Sequence, residues 1–229
     1  MKRIFCTMLF LLSLSLMSQI KISKTLGDYS ELKVYNGIEV ELIKSDKQYL
    51  EITGKKSEKV KIKNVDNTLK LSLKFSVKPS ENAAEGEVLI KLYYNKEIAI
   101  IDANEGATIT SKSFNQDKLE VNAQERAFIN LLCTTDYLKV RASSGGIIKL
   151  SGASKNQVVD VDLYGTYHGF NMSVSSNSTV NAGTGAKAEI LAGETLNAKV
   201  GFGGSIFYKG NPKVIKDKKV IGGIIQKRN

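Results

Sequence analysis

The sequence predicts an all-β protein, a single-stranded parallel β-helix (β-solenoid) with rungs of about 18–21 residues. Three observations lead to this class. Apolar and polar residues alternate with the period of two that strands require, the alternating segments recur about every 20 residues, and glycine recurs at a fixed place within each repeat. The composition agrees, because 19 glycines, only two prolines and no tryptophan are typical of turn-rich β proteins.

The chain begins with a basic head and an apolar run, the layout of a secretory signal peptide. Lys2 and Arg3 precede "IFCTMLFLLSLSLM" at residues 4–17, and this run is too short to span a bilayer as a helix. Cleavage after residues 1–18 leaves no transmembrane segment and lowers the net charge to +8 (10 − 2). A buried strand or an uncleaved anchor is the alternative. We therefore expect export to the periplasm, the outer-membrane surface or the extracellular space.

Cysteine usage fits an exported protein that is held together by packing. Removal of the signal peptide takes away Cys6 and leaves Cys133, so no internal disulfide can form. A lipoprotein cysteine follows its apolar run, whereas Cys6 lies at the front of this one, and we expect no lipid attachment. We interpret Cys133 as a small buried hydrophobe rather than a reactive thiol.

Residues 19–97 are predicted to form an N-terminal β region of the same domain, with a less regular repeat. "LKVYNGIEVELI" at 32–43 contains two alternating runs around Asn36-Gly37, a strong turn signal. The polar, breaker-rich segment 78–87 is expected to be a loop. No stretch is long enough for a domain linker.

Regular rungs are predicted over residues 98–212. Each rung has an apolar anchor, and residues two and eight positions later are also apolar, with one gap at Gly169. The rung at 158–179 carries an aromatic insertion, so its register is not determined by these columns. The anchors, at intervals of 20, 19, 21, 19 and 18 residues, are Ile101, Val121, Val140, Val161, Val180 and Ala198.

One position after each anchor the residue is polar, which predicts an outward polar ladder on successive rungs. Five positions after each anchor the chain turns a corner, where glycine tolerates the positive φ that a tight turn needs. In "VRASSGGIIKLSG" at 140–152, the two glycines are such a corner between two sides of one coil. The ladder is Asp102, Asn122, Arg141, Asp162, Asn181 and Lys199, and the corner residues are Gly106, Arg126, Gly145, Thr166, Gly185 and Gly203.

Several stretches together resemble the head GIN domain family, the heads of autotransporter adhesins common in exported proteins of Bacteroidota. They are "YSELKVYNGIEVELIKSDKQYLEITG", "LKVRASSGGIIKLSG" and "GFGGSIFYKGNPKVIKD", and the resemblance covers about residues 29–212. It implies a β-helical fold and an adhesive role, and it carries no catalytic residues to transfer.

The ladder also permits an alternative function, a polysaccharide-active enzyme. Asp160 and Asp162 share an outward side with Arg141, and two carboxylates with an arginine can form an acid/base pair. A salt bridge between rungs explains the same residues equally well. His168 is the single histidine, and calcium, P-loop and dinucleotide motifs are absent from the sequence, so no metal or cofactor is predicted. The prediction is a non-enzyme.

Aromatic residues in "DLYGTYHGFNM" form a candidate ligand patch, since aromatic faces stack on sugar rings or partner side chains. The alternative is that these rings fold inward and fill the core. The patch consists of Tyr164, Tyr167, His168 and Phe170.

Residues 213–229 are predicted to form a basic C-terminal cap that prevents end-to-end stacking of rungs. They could also meet anionic polysaccharide, lipopolysaccharide phosphates or a membrane surface. The partners we expect are a carbohydrate or an envelope protein, and no nucleic acid. Self-association through solenoid ends and flat faces is compatible with the sequence, which therefore predicts an exported, non-catalytic interaction protein of the cell envelope.

Overall fold

A computed structural model describes residues 21–229, and the predicted signal peptide with Cys6 lies outside the described residues. The protein is all-β and coils through about seven turns of parallel strands. The eighteen strands are β1 (Ile22–Thr25), β2 (Glu31–Val34), β3 (Glu39–Lys44), β4 (Tyr49–Thr53), β5 (Val60–Val65), β6 (Thr68–Leu73), β7 (Leu89–Tyr94), β8 (Ile100–Ala103), β9 (Thr108–Asn115), β10 (Lys118–Ala123), β11 (Phe128–Ala142), β12 (Ile147–Val161), β13 (Thr166–Ala182), β14 (Lys187–Leu191), β15 (Thr195–Val200), β16 (Ser205–Lys209), β17 (Val214–Lys219) and β18 (Ile224–Lys227).

The coil has two outward faces. The first face is built from β2, β6, β8, β10, β15, β17 and the C-terminal halves of β11, β12 and β13. The second face is built from β3, β7, β9, β14, β16, β18 and the N-terminal halves of the same three long strands. Alternate residues of the rungs up to β15 and β16 point into one continuous apolar core between the faces. The predicted parallel β-solenoid is thus confirmed.

The register of one rung differs from the prediction. Val140 pairs with Val159, and Val159 pairs with Val180, so the anchor of this rung is Val159 and not Val161. The two additional residues of the longer repeat are taken up by irregularities in β13, opposite Lys149–Ser151 and Ser154–Asn156. Because β-bulges lengthen one strand without breaking the sheet, the rungs on either side stay aligned.

This shift removes the gap in the core column. Tyr167, not Gly169, lies in register with Ile148 and Ala188 and fills the core position of its rung. The corner residue of the rung is likewise Tyr164 rather than Thr166, because Leu163 and Tyr164 are the two residues with positive φ there.

The corners are tight turns, and most of them have two successive left-handed residues. At the predicted corner, Ser144 and Gly145 have φ of 50° and 75°, and the amide of Gly146 donates to the carbonyl of Ser143 at 2.8 Å. A Cβ on Gly146 would lie 2.2 Å from the carbonyl oxygen of Ala123 on the preceding rung. Glycine at this place is required by the close approach of two rungs.

The N-terminal region is stacked out of chain order. Leu32 of β2 pairs with Leu69 of β6 on one side and with Ile101 of β8 on the other. The rung formed by β2 and β3 therefore lies between the rung of β6–β7 and that of β8–β9. Antiparallel pairing of β1 with β4, β4 with β7 and β5 with β6 closes this end. The Asn36-Gly37 turn joins the two faces of one rung.

The segment predicted as a basic cap forms one more rung through β17 and β18. Asp217 and Lys219 stand in register with Ala198 and Val200, which are core residues of the rung below. All residues of β17 are exposed, since no further rung covers them. Within residues 21–229, no helix is long and apolar enough to cross a membrane.

Candidate binding groove on the first face

The outward polar ladder runs along the first face with one change of member. Asn181 lies beside Asp160, and its side-chain amide donates to Asp160 Oδ1 at 2.7 Å. Asp160 therefore occupies the ladder position predicted for Asp162. On the next rung Arg141 pairs with Glu120 at 3.1 Å. In register, the ladder is Asp102, Asn122, Arg141, Asp160, Asn181, Lys199 and Lys218.

The two ends of the ladder differ in exposure. Asp102 is buried and accepts a hydrogen bond from Asn104 at 3.0 Å, and burial raises the pKa of its carboxyl group. Arg141 and Lys199 are exposed, and Asp160 and Asn181 are half-buried. The part of the ladder that can meet a ligand is therefore its C-terminal half.

A shallow groove of about 560 Å³ follows this exposed half. The ladder residues form its polar side, and the end of β13 with the corners that follow β13 and β15 supplies the small residues Ala182, Gly183 and Gly201. Asp162 lines the same groove from the adjacent corner. The residues that line the groove are Arg141, Ala142, Ser143, Asp160, Val161, Asp162, Asn181, Ala182, Gly183, Lys199, Gly201 and Phe202.

Asp162 has a structural role at this corner. Its Oδ1 accepts the backbone amides of Leu163 at 2.8 Å and of Thr184 on the next rung at 2.7 Å. A Cβ on Gly183 would lie 2.2 Å from the same oxygen, so glycine leaves room for the carboxylate. One carboxylate oxygen thereby ties two successive corners together.

Large apolar residues project from the corners beside the groove. Leu163, Tyr164 and Phe202 are 49%, 71% and 67% exposed, with φ of 46°, 62° and 45°. Bulky residues rarely adopt this conformation, and it is costly unless the fold or the function demands it. The Tyr164 ring extends over the next rung, 2.6 Å from the place of a Cβ on Gly185. Phe202 thus lines the groove, and Tyr164 lies on the corner next to it, over Gly185.

Sequence reasoning missed Leu163 and Phe202. The corner column, read with the correct register, contains part of the signal: the position before each corner residue holds Glu105, Glu125 and Ser144 on earlier rungs and then Leu163, Thr184 and Phe202. Large apolar residues thus occupy two of the three later corners.

The predicted aromatic patch is divided among three environments. Tyr164 lies on the corner, Tyr167 is fully buried, and His168 and Phe170 lie on the second face. Tyr167 Oη donates to Gln157 Oε1 at 3.4 Å, and Gln157 Nε2 donates to Ser178 Oγ at 3.0 Å. Burial raises the pKa of the Tyr167 hydroxyl. The prediction that Tyr167 faces a ligand is wrong, because its ring fills the core.

On the second face, His168 Nδ1 lies 2.7 Å from Glu189 Oε2, and Lys187 pairs with the other carboxylate oxygen. Burial opposes ionisation of Glu189, but its bonds to Lys187 and His168 outweigh that effect and lower its pKa. The Phe170 ring lies under Lys209, whose Nζ is 5.1 Å from the ring centre. Among residues 21–229, no group of three His, Cys, Asp or Glu side chains has the geometry to hold a metal ion.

The described residues thus form a parallel β-solenoid with an open groove on its first face, lined by polar side chains and by Phe202. The family model described as "Putative auto-transporter adhesin, head GIN domain" matches residues 28–212. The chain therefore belongs to this family, and the resemblance drawn from its sequence motifs is confirmed.

Solved structures with the same fold come from Bacteroidota. A putative adhesin from Bacteroides fragilis is 20% identical to this chain, with a TM-score of 0.80. The match covers 93% of this chain and 98% of the adhesin. A putative adhesin from Parabacteroides merdae is 18% identical, with a TM-score of 0.68, and the match covers 92% of this chain and 96% of the adhesin. A protein from Parabacteroides distasonis, described as a putative lipid binding protein, is 19% identical, with a TM-score of 0.68. The match covers 92% of this chain and 97% of that protein. No curated protein matches the sequence.

Proposed function

We propose that the protein is an exported, non-catalytic, adhesin-type protein of the cell envelope, and that its groove binds a carbohydrate. Residues 1–18 supply the export signal in this proposal. The observation that carries it is the placement of two exposed aromatic rings, Tyr164 and Phe202, in a costly backbone conformation beside the polar ladder. The adhesin names of the family and of its solved members support the same class of function.

The chemistry of the groove suits a sugar. Pyranose rings present apolar C–H faces that stack on aromatic side chains, and hydroxyl groups that pair with carboxylates and amides. Asp160 and Asn181 offer such groups beside the corners that carry the aromatic rings, with Arg141 and Lys199 on the rungs at either end. The volume of about 560 Å³ lies within the range of about 300–1,000 Å³ usual for ligand clefts.

A glycan-array screen of residues 19–229 tests this proposal. The Tyr164→Ala/Phe202→Ala double variant should lose glycan binding while its circular dichroism spectrum is retained. Tyr137→Ala is the matched control, since Tyr137 is an aromatic residue 55% exposed on the same face outside the groove. No binding to any glycan, or equal binding by the double variant, would exclude the groove as a carbohydrate site and favour a protein partner.

The second candidate function is polysaccharide cleavage, because Asp160, Asp162 and Arg141 line one groove. Each carboxylate already has a structural partner, through Asn181 for Asp160 and the corner amides for Asp162. A reducing-end assay on acidic and neutral polysaccharides separates the two functions. Product formation that disappears in Asp160→Asn would establish an enzyme, and binding without product supports the adhesin.

A further inference from the structure

We propose that the second face carries a separate site for an anionic polysaccharide, at its C-terminal end and away from the groove. The site is a basic–aromatic face formed by Phe170, Lys187, Phe207, Lys209 and Arg228. Residues 187–229 contain nine Lys and Arg residues against three acidic ones, so this end carries a net charge of +6 (9 − 3) of the +10 total. A polyanion would be attracted to this end of the coil.

The cations of the basic–aromatic face are held in place by rings. Arg228 lies 4.3 Å and Lys187 5.7 Å from the centre of the Phe207 ring, and Lys209 lies 5.1 Å from that of Phe170. Cation–π contact fixes a long side chain without consuming its charge. The planar fork of Arg228 therefore keeps N–H donors for a sulfate, phosphate or carboxylate group.

Little negative charge opposes these cations. Glu189 forms a salt bridge with Lys187, and in the described part of the chain neither Lys209 nor Arg228 forms a salt bridge. On the second face, Glu189 is the only residue with a carboxylate side chain in the segments of the last five rungs. These segments are 147–153, 166–173, 187–191, 205–209 and 224–227.

A linear polyanion fits this face better than a bilayer. Phe170 and Phe207 are half-buried beneath their cations, so no apolar side chain of the pair projects far enough to enter lipid. Lys209 and Arg228 follow the paired residues Tyr208 and Lys227, so they lie in one column on neighbouring rungs about 4.8 Å apart. Lys187 lies at the other end of β14 from Leu191, the partner of Lys209. A charged chain can lie across the strands along these cations.

The test is a fluorescence-anisotropy titration of residues 19–229 with a labelled heparin octasaccharide as the sulfated probe. Lys209→Ala/Arg228→Ala should weaken binding by about tenfold or more, because it removes two fixed cations at the site. Lys61→Ala/Lys63→Ala is the matched control at the opposite end of the coil, with the same loss of charge and an expected change below about twofold. Phe207→Leu keeps every charge and should weaken binding measurably, since it frees Arg228.

Retention of fold is checked by thermal melts of each variant, and Tyr164→Ala/Phe202→Ala should bind heparin normally. An equal loss of heparin binding in Lys209→Ala/Arg228→Ala and in Lys61→Ala/Lys63→Ala would show that only the net charge matters, and it would overturn the proposal. Binding to vesicles of equal parts phosphatidylglycerol and phosphatidylcholine without binding to heparin would also overturn it, in favour of a membrane contact.

Discussion

The Tyr167 ring occupies the space in which a Cβ on residue 169 would lie, with ring atoms 2.5 Å from that position. Gly169 and Tyr167 therefore share one core site, and the glycine makes the aromatic residue possible. Gly169→Ala should lower the free energy of unfolding by about 1–3 kcal/mol through overpacking, as measured by urea denaturation. Gly201→Ala, which meets nothing within 4 Å, is the control and should change stability by less than about 0.5 kcal/mol.

The backbone at Tyr164 should show a preference for glycine. Tyr164→Gly is expected to be more stable than Tyr164→Ala by about 0.5–1 kcal/mol, because only glycine adopts φ of 62° without strain. Tyr137 in β11 provides the control with the opposite sign: in this strand Tyr137→Gly should be less stable than Tyr137→Ala by a similar amount. Equal stabilities of the Tyr164 pair in chemical denaturation would contradict strain at this corner.

The last strand should resist end-to-end association. Asp217 and Lys219 occupy core columns on the open edge, so a rung added to this edge would bury two charges. Asp217→Val/Lys219→Val leaves the net charge unchanged and should produce dimers or larger species in light scattering after size-exclusion chromatography. Lys216→Thr, on the outward side of the same strand, should leave the elution unchanged. A double variant that elutes like the parent chain would argue against this role.

Acid should destabilise the second face through Glu189. Its pKa is lowered in the folded protein, so it contributes stability above the ordinary value of 4.5, and this stability is lost as the pH falls through the lowered pKa. Glu189→Gln should flatten the decrease in melting temperature below about pH 4.5. Glu194→Gln is the control, because the pair of Glu194 with Lys213 at 3.0 Å is exposed. A parallel decrease in all three proteins would refute the assignment to Glu189.

Cys133 should be inert in the folded protein. The side chain is 1% exposed, and burial raises the pKa of its thiol to about 12. Iodoacetamide at pH 8 is expected to label the chain in urea and to leave the native protein unmodified over the same time, as measured by mass spectrometry. Labelling of the native protein at the denatured rate would contradict the buried position.

Local sequence predicted the coil because its evidence is periodic. A period of two along a strand and a repeat near 20 residues can be recognised even when one repeat is misaligned by a residue or two. Both faces, the corners and most of the ladder could therefore be predicted from the residues alone. The buried position of Cys133 was predicted from its chemistry, since a lone cysteine without a partner motif behaves as a small hydrophobe. The stacking of β2–β3 between β6–β7 and β8–β9 could not be predicted, because pairing with a rung distant in the chain leaves no trace in a local pattern.

The sequence by itself determined the class of fold, the alternation of inward and outward residues along most of the regular rungs, and the family. Only the tertiary structure decided the register of the rung that contains Tyr167, and with it which residues form the candidate site. The physical reason is the period of two: moving the anchor from Val161 to Val159 keeps the inward and outward alternation along the end of β12, so Asp160 replaces Asp162 on the outward side without a conflict. Leu163, by contrast, moves from a predicted core position to the exposed corner. The choice between these registers depends on where β13 accommodates two bulges and on whether the core has room for a tyrosine ring above Gly169.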